Sequence, residues 1–265
     1  MCLVVFAWQA HPDYRLILVG NRDESHKRPT RDAHWWPDNP DMLAGRDLQA
    51  GGTWLAVSKS GRFATVTNFR EGPKSRSGPE SRGRLVTDFV AGSASLDAFE
   101  GSISSDHFAG FSLLASDGAS MRYLSNRDDL DTEIGPGIYG LSNASLDTPW
   151  SKLVRSKAGF ESLIRNNSAN ESELMRLLAD RKPAAANEIA RDDLPFEIAR
   201  AVSAAFIVSS EYGTRSTTTV LWGRDDVIEF CERRFDPAGN TTGDSRFRFK
   251  VTPSWSETVS SPPRP

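Results

Sequence analysis

The chain has little cysteine, since only Cys2 and Cys231 occur among its 265 residues. Two cysteines are too few for a disulfide framework or a cysteine-rich zinc site. Long apolar runs are also missing, and none approaches the roughly 18 residues that span a bilayer. A basic excess is absent, because 32 Lys and Arg stand against 35 Asp and Glu. These absences predict a protein without a transmembrane segment whose main partner is neither nucleic acid nor an anionic membrane.

Motifs for nucleotide and zinc chemistry are missing as well. The sequence contains no GxGxxG, P-loop, HExxH or CxxC. Its four histidines, His11, His26, His34 and His107, are scattered without metal-ligand spacing, and we interpret them as surface or loop residues. The sequence therefore predicts no bound metal.

The apolar start of the chain does not match a targeting signal. No basic residue precedes residues 3–8 and Asp13 follows them closely, whereas a secretory signal has a charged start and a longer apolar run. With 38% hydrophobic and 25% charged residues, the composition is that of a folded globular protein. We therefore expect a cytoplasmic protein with a single domain over residues 1–252 and a disordered Ser- and Pro-rich tail over residues 253–265.

Apolar runs bounded by turn formers predict strands that are mostly joined as hairpins. These runs cover residues 3–8, 15–20, 53–58, 62–68, 111–116, 121–125, 137–143, 214–222, 226–235 and 246–252. Residues 20–52 have little periodicity and many turn formers, which predicts a long loop. The composition of residues 71–83 predicts a second, flexible loop.

Helical spacing of apolar residues appears between the groups of strands. The predicted helices cover residues 84–91, 96–99, 170–180 and 196–205. A further helix opens at Pro149-Trp150, with apolar positions at Leu153, Val154, Phe160 and Ile164. Hairpins interrupted by helices predict an α+β fold in which helices cover one or two antiparallel sheets.

Cys2 has two interpretations. A free cysteine at the edge of a core strand is often a small hydrophobic residue. Alternatively, Met1 is removed, which a residue as small as cysteine permits, and Cys2 gains a free α-amine. Because an α-amine titrates near about 7.7–8.0 and a thiol near about 8.5, the amine can take the thiol proton and return it to a leaving group. Position alone does not decide between a core thiol and an N-terminal nucleophile.

The run Asn21-Arg22-Asp23-Glu24 directly follows the strand predicted over residues 15–20. If that strand forms a hairpin with residues 3–8, its end returns beside Cys2. An arginine there favours a thiolate, and an aspartate accepts hydrogen bonds from an α-ammonium group and orients it. The alternative is an ordinary polar turn, which is the usual role of a charge cluster.

The chain resembles the NRDE family, also called the transport and Golgi organisation protein 2 family, in six spaced motifs. They are Met1-Cys2, Asn21-Arg22-Asp23-Glu24, Gly51-Gly52-Thr53-Trp54-Leu55, Thr67-Asn68-Phe69-Arg70, Leu141-Ser142-Asn143 and Tyr212-Gly213-Thr214-Arg215. That family is similar to N-terminal-nucleophile hydrolases, among them the choloylglycine-type cysteine amidases. The resemblance implies a four-layer αββα sandwich of two antiparallel sheets.

The resemblance also implies roles for individual residues. Cys2 matches the nucleophile of those amidases, and Asp23 matches the aspartate that holds the nucleophile's amine and thiol. Asn68 falls where they have an oxyanion-hole asparagine. Asn143 resembles their second active-site asparagine, which orients the α-amine or the substrate. Arg215 is a weaker match to a late active-site arginine.

Arg22 departs from the amidase pattern. Those enzymes carry an arginine three residues before the aspartate, where this chain has Gly20. A shift of two residues along an extended strand keeps a side chain on the same face, so Arg22 can serve the same catalytic site. It can equally face the phosphate or carboxylate of a ligand.

Two functions follow from the resemblance. One is hydrolysis of a non-peptide amide with Cys2 as nucleophile, which requires no cofactor. The other is a non-catalytic carrier that uses the same cleft for haem, or for an acyl-CoA-like or lipid amphiphile. Trp35, Trp36 and Trp54, together with Arg215, are candidates for contacting such a ligand, although the Trp35-Trp36 pair can also simply cover the core. The sequence assigns no oligomeric state.

Overall fold

A computed structural model describes residues 2–70, 78–128, 132–189 and 194–252 of the chain. Its strands are β1 (Cys2–Trp8), β2 (Tyr14–Ser25), β3 (Thr30–Trp36), β4 (Asn39–Asp47), β5 (Leu55–Ser58), β6 (Phe63–Asn68), β7 (Phe111–Ser116), β8 (Met121–Ser125), β9 (Thr132–Glu133), β10 (Gly137–Leu141), β11 (Tyr212–Gly223), β12 (Val227–Phe235) and β13 (Thr241–Lys250). Its α-helices are α1 (Gly83–Ala91), α2 (Leu96–Ser102), α3 (Ser151–Arg165), α4 (Glu171–Leu177) and α5 (Phe196–Ala201).

The strands of the described residues form two antiparallel sheets. The first sheet has the order β10-β1-β2-β11-β12-β13 and therefore combines strands from both ends of the chain. The second sheet has the order β3-β4-β5-β6-β7-β8-β9, in which every strand pairs with its neighbour in sequence. Hairpin connections of this kind account for the antiparallel pairing throughout the second sheet.

The two sheets pack face to face through one shared core. Because side chains alternate along a strand, Val4 and Phe6 of β1 enter this core while Leu3 and Val5 point to the opposite face of the sheet. Phe63 of β6 reaches the shared core from the second sheet. Both faces of β1 are thus buried, which explains its unbroken apolar sequence.

Helices cover the outer faces of both sheets. Leu85 and Phe89 of α1 pack on the second sheet, where α2 joins them. Leu153 and Phe160 of α3 pack on the first sheet, together with Leu174 of α4. The layers therefore follow the order helix, sheet, sheet, helix, and the predicted α+β four-layer αββα sandwich is confirmed.

Local sequence signals set several of the helix boundaries. The side-chain oxygen of Asn170 accepts a hydrogen bond from the backbone N–H of Glu173 at 3.1 Å, so Asn170 caps α4 at the predicted start of this helix. The same helix ends at Leu177, three residues before its predicted end. The predicted helix over residues 196–205 is also shorter, because α5 ends at Ala201.

The prediction of a long loop over residues 20–52 is wrong. β2 continues to Ser25, and β3 and β4 form a hairpin within the same segment. β3 is an edge strand, and a bulge between Arg31 and His34 interrupts its register with β4. An edge position and a bulge together remove the apolar alternation by which a strand is recognised in sequence.

Two further loop predictions fall largely outside the described residues. The segment predicted as a flexible loop, residues 71–83, is described only from residue 78, and α1 begins at Gly83. The predicted tail over residues 253–265 lies entirely outside the described residues. Within the described part of the chain, no helix is long and apolar enough to cross a membrane.

The predicted apolar face of α3 is partly wrong. Leu153 and Phe160 are 2% and 0% exposed, whereas Val154 is 52% exposed. A helix turns about 100° per residue, so Val154 cannot share the face of Leu153 when that face points straight at the sheet.

We expect Phe160→Ala to lower the free energy of unfolding by about 3–5 kcal/mol, because it leaves a cavity between α3 and the first sheet. Val154→Ala on the same helix is the matched control and should change it by less than about 0.5 kcal/mol. Urea denaturation followed by circular dichroism measures both. Equal losses in the two variants would contradict the burial pattern of α3.

Candidate functional site

β1 and β2 bring Cys2 opposite the Asn-Arg-Asp-Glu run. The strands pair with Cys2 facing Arg22 and Leu3 facing Asn21, so the predicted hairpin is observed. Cys2 and Arg22 continue the alternation of residues that point between the two sheets, whereas Asn21 and Asp23 point toward the helices. The register thus places a half-buried thiol and a guanidinium group, 5% exposed, on one face.

A polar cleft opens at this end of the sandwich and encloses about 100 Å³. Residues from both sheets and from the start of α1 surround it, namely Cys2, Arg22, Asp23, Glu24, Arg28, Asp47, Thr53, Trp54, Val66, Asn68, Ser81, Arg82 and Gly83. Of the residues predicted from sequence, Cys2, Arg22, Asp23, Asn68 and Trp54 are therefore brought together. The end of β2 faces the ends of β4 and β6 here, which is why residues distant in sequence share one cleft.

Asp23 is held in place from the neighbouring strand β11. Its Oδ1 accepts a hydrogen bond from the Thr214 hydroxyl at 2.6 Å, and its backbone carbonyl accepts one from the Tyr212 hydroxyl at 2.8 Å. The side chain is nearly inaccessible, with 2% of the residue exposed. Burial raises the pKa of Asp23 above its usual range, and the charges of Lys152 and Arg22 and the Thr214 hydrogen bond oppose that rise.

Lys152 is a site residue that the sequence reasoning missed. It lies on α3, is 1% exposed, and its Nζ donates a hydrogen bond to the Val202 carbonyl at 3.3 Å. Burial lowers the pKa of Lys152, while the negative charges of Asp23 and Cys2 act in the opposite direction. The helical spacing could have indicated its burial, because Lys152 lies four residues before Ser156 and eight before Phe160, on the buried face of the helix.

Asn143 joins the ends of the two sheets behind the cleft. Its side-chain amide donates to the backbone carbonyl of Asn68 at 2.9 Å, and its Oδ1 accepts from the Ser142 hydroxyl at 3.3 Å. The Ser142 hydroxyl also donates to the Cys2 carbonyl at 2.8 Å. Asn143 is 1% exposed and does not line the cleft, so it fixes the backbone around Cys2 and Asn68.

Arg22 stacks on Trp54. The guanidinium carbon lies 4.2 Å from the centroid of the indole ring, and one guanidinium N–H donates to Thr30 Oγ1 at 3.2 Å. Burial lowers the pKa of Arg22, and the negative charges of Glu24 and Cys2 oppose this. Stacking on an aromatic face compensates part of the desolvation of a guanidinium group, which is how this charge is kept in a buried site.

A second guanidinium at the cleft was not predicted from sequence. Arg28 binds Asp47 through two hydrogen bonds to Oδ2, at 2.6 and 2.9 Å, and Glu24 Oε2 lies 3.9 Å from its Nε. The hydrogen bond with Asp47 raises the pKa of Arg28. Arg215 approaches this turn from β11 and donates to the carbonyls of Ser25 and Arg28. Arg215 thus supports the turn that carries Arg28 and is not among the residues lining the cleft.

Trp35 and Trp36, predicted as candidate ligand contacts, are not among the residues that line the cleft. The Trp35 ring packs edge-on against Phe247 and Phe249 of β13, at centroid distances of 6.3 and 4.9 Å. Trp36 is buried on the opposite face of the second sheet and donates from Nε1 to the Ala44 carbonyl. These contacts agree with the alternative interpretation, in which the two tryptophans cover the core.

The described residues contain no group of three or more His, Cys, Asp or Glu side chains that could hold a metal ion. The four histidines lie outside the cleft lining. All four contact the protein through ring nitrogens, at Asn167 for His11, Ser209 for His26, Asp32 for His34 and Glu80 for His107.

Comparison with known proteins identifies relatives over nearly the whole chain. A family model described as Transport and Golgi organisation 2 matches residues 1–237. The Transport and Golgi organization protein 2 homolog of Bos taurus is 32% identical over 94% of this chain and 100% of the bovine protein. The Homo sapiens homolog is 33% identical over 88% of this chain and 92% of its own length. The Drosophila melanogaster protein is 27% identical over 90% of this chain and 95% of its own length.

Among solved structures, an N-acylethanolamine-hydrolyzing acid amidase ortholog of Caenorhabditis elegans aligns with 67% of this chain and 86% of its own. The TM-score is 0.46 and the sequence identity 10%. The αββα layering of this chain stands on the packing of its own sheets and helices.

We expect Lys152 and Asp23 to be energetically coupled, because each is a buried charge that the other partly neutralises. Lys152→Met and Asp23→Asn should together cost less unfolding free energy than the sum of the single changes, with a coupling of about 1–3 kcal/mol. The control pair, Lys157→Met with Asp23→Asn, should be additive within about 0.5 kcal/mol, since Lys157 pairs with Asp147 instead. Additivity of Lys152→Met with Asp23→Asn would refute the coupling.

Proposed function

The chain belongs to the Transport and Golgi organisation 2 family, and from this premise and the geometry of the cleft we propose that it hydrolyses a non-peptide amide. Cys2 is the nucleophile, and removal of Met1 supplies its α-amine as the base. The observation that supports this most directly is that Cys2, Arg22, Asp23 and Asn68 line one cleft although three different strands carry them. No cofactor is required for this reaction.

The first step forms an acyl-enzyme. The Cys2 proton moves to the α-amine, and the thiolate sulfur attacks the amide carbonyl carbon to give a tetrahedral intermediate. The carbon–nitrogen bond then breaks, and the α-ammonium group returns its proton to the departing nitrogen. The amine leaves, and Cys2 carries the acyl group as a thioester.

The second step releases the acid. The α-amine takes a proton from water as the water oxygen attacks the thioester carbonyl. Collapse of the intermediate breaks the carbon–sulfur bond, so that the products over both steps are a carboxylic acid and an amine, and Cys2 is regenerated. Asp23 lies one residue beyond the strand partner of Cys2, which supports a role in holding the α-ammonium group through its buried carboxylate.

Arg22 and Asn68 have complementary tasks in this proposal. Arg22 lies across from Cys2 in the strand register, where its positive charge favours the thiolate. It therefore takes the place of the amidase arginine despite the shift of two positions from Gly20. The Asn68 side chain lines the same cleft and supplies an oxyanion donor.

We expect Cys2→Ala to abolish turnover of any N-acyl amide that the wild type hydrolyses, because no other nucleophile replaces the thiolate. A panel of N-acyl amides followed by release of the free amine provides the assay. Cys231→Ser is the matched control and should retain wild-type turnover, since Cys231 lies in β12 outside the cleft and burial raises its pKa to about 12. Unchanged turnover by Cys2→Ala would refute the mechanism.

The competing function, a carrier for haem or an acyl compound, predicts a different set of results. Intact mass would show Met1 retained, no thioester would be trapped, and hemin or an acyl ligand would bind equally well to the wild type and Cys2→Ala. Mass spectrometry of the purified protein together with ligand titration distinguishes the carrier from the hydrolase.

We expect Asn68→Ala to lower kcat by about 10²–10³-fold with a small change in KM, because an oxyanion donor acts mainly in the transition state. Asn68→Asp tests the same point without removing side-chain volume. The conservative control is Asn166→Ala at the exposed end of α3, which should leave both constants unchanged. A rise in KM alone for Asn68→Ala would assign Asn68 to substrate binding instead.

A further inference from the structure

Glu232 is a carboxyl group at the end of an apolar stripe on β12. Ile228 and Phe230 of β12 point into the core between the sheets, and Glu232 is the next residue on that face. The residue is 1% exposed. Burial raises the pKa of Glu232 to about 7, so its charge changes in the neutral pH range.

The bulge in β3 supplies one partner for this carboxyl group. The register of β3 with β4 shifts between Arg31 and His34, which frees the backbone N–H of Ala33 from the ladder. That N–H donates to Glu232 Oε1 at 2.8 Å across the gap between the sheets. Among the described residues, no hydrogen-bond donor reaches Glu232 Oε2.

The second oxygen of Glu232 lies next to the indole that carries Arg22. A Cβ placed on Gly45 would fall 2.4 Å from Trp54 Cη2 and 3.0 Å from Glu232 Oε2. Indole and carboxylate therefore meet over Gly45, where only glycine leaves room for both. Arg22 stacks on this same indole at 4.2 Å and also bonds Thr30 of β3.

Arg22 is the charged group among the described residues whose positive charge stabilises ionised Glu232. Three ion pairs lie on or beside the strands packed around Glu232, namely Asp32–Arg234, Arg46–Asp38 and Arg233–Asp244. Arg31 of β3 is exposed. The titratable His34 of β3 bonds the Asp32 carbonyl through Nδ1, and burial lowers its pKa. Glu232 and Cys2 thus lie within the influence of one shared cation.

We propose that Glu232 is a positioning residue that holds the Trp54–Arg22 stack, and that the negative charge of its carboxylate opposes the positive potential that Arg22 creates at Cys2. This proposal rests on the proposed function, in which the Cys2 thiolate is the nucleophile. Its test measures alkylation of Cys2 and not hydrolysis, so a negative result for Glu232 can be told apart from an absence of amidase activity.

The effect has a definite sign. Below about pH 6, Glu232 is neutral and does not oppose the positive potential of Arg22 at Cys2. Above about pH 8, Glu232 is ionised and its negative charge cancels part of that potential, so the Cys2 thiolate is stabilised less than Arg22 alone would stabilise it. Glu232→Gln keeps an acceptor for the Ala33 N–H and removes only the charge.

The test is the pH profile of Cys2 alkylation by iodoacetamide, with peptide mapping to separate Cys2 from Cys231. At pH 8 we expect Glu232→Gln to react about two- to fivefold faster than the wild type, because the negative charge that opposes Arg22 is removed. At pH 5.5 the two proteins should react at equal rates. Glu229→Gln on the same strand is the matched control, exposed and paired with Arg248, and should follow the wild type throughout.

Two results would overturn the proposal. Equal rates for wild type and Glu232→Gln at pH 8 would show that the carboxylate charge does not act on Cys2. A rate change of similar size at pH 5.5 and pH 8 would indicate a purely structural disturbance.

Arg22→Met gives a route that does not depend on the folding of Glu232→Gln. The wild-type profile should flatten near pH 7, where Glu232 ionises. Arg22→Met should move this flattening to higher pH, because the guanidinium group favours the ionised form of Glu232. A flattening at the same pH in both proteins would show that Glu232 and Arg22 do not interact.

Discussion

The antiparallel register between β1 and β2 is the constraint on which the site depends. It sets Cys2 across from Arg22 and puts both on the face between the sheets, while Asp23 turns toward the helices. A slip of one residue would exchange these faces and also drive the core side chains of β1 to the wrong side. The apolar residues on both faces of β1 therefore fix the position of Cys2 relative to Arg22, because the register that buries these residues also sets the thiol across from the guanidinium group.

Polar groups at this end of the sandwich are buried in pairs that join different layers. Thr214 and Lys152 act on Asp23 from β11 and α3, and Asn143 ties the loop after β10 to the end of β6. A buried charge without such partners is costly, so each connection also restrains the relative position of the layers. Family membership and the αββα layering fit this arrangement, and amide hydrolysis is the chemistry that we propose for it.

The sequence predicted those parts of the fold that have local causes. The hairpins depend on turn chemistry that a few neighbouring residues specify, and the start of α4 depends in the same way on the cap at Asn170. β3 and β4 were missed because an edge strand with a bulge lacks alternation. Lys152 and Glu232 were missed for a different reason. The helical or strand spacing of their apolar neighbours places each of them on a buried face, but the opposite charge that stabilises each one comes from a residue distant in sequence.

The strand order of the two sheets has a consequence for how the chain folds. The second sheet is a meander of sequential neighbours, so its contacts close short loops at low entropic cost. The first sheet places β2 directly beside β11, nearly 200 positions later, as in the pairing of Gly20 with Thr218. Proteins rich in such distant pairings fold slowly, because loop closure precedes any gain in contact energy. The cleft therefore depends on contacts of both kinds: the local β1–β2 hairpin sets Cys2 across from Arg22, and the distant pairing of β2 with β11 brings Thr214 to Asp23.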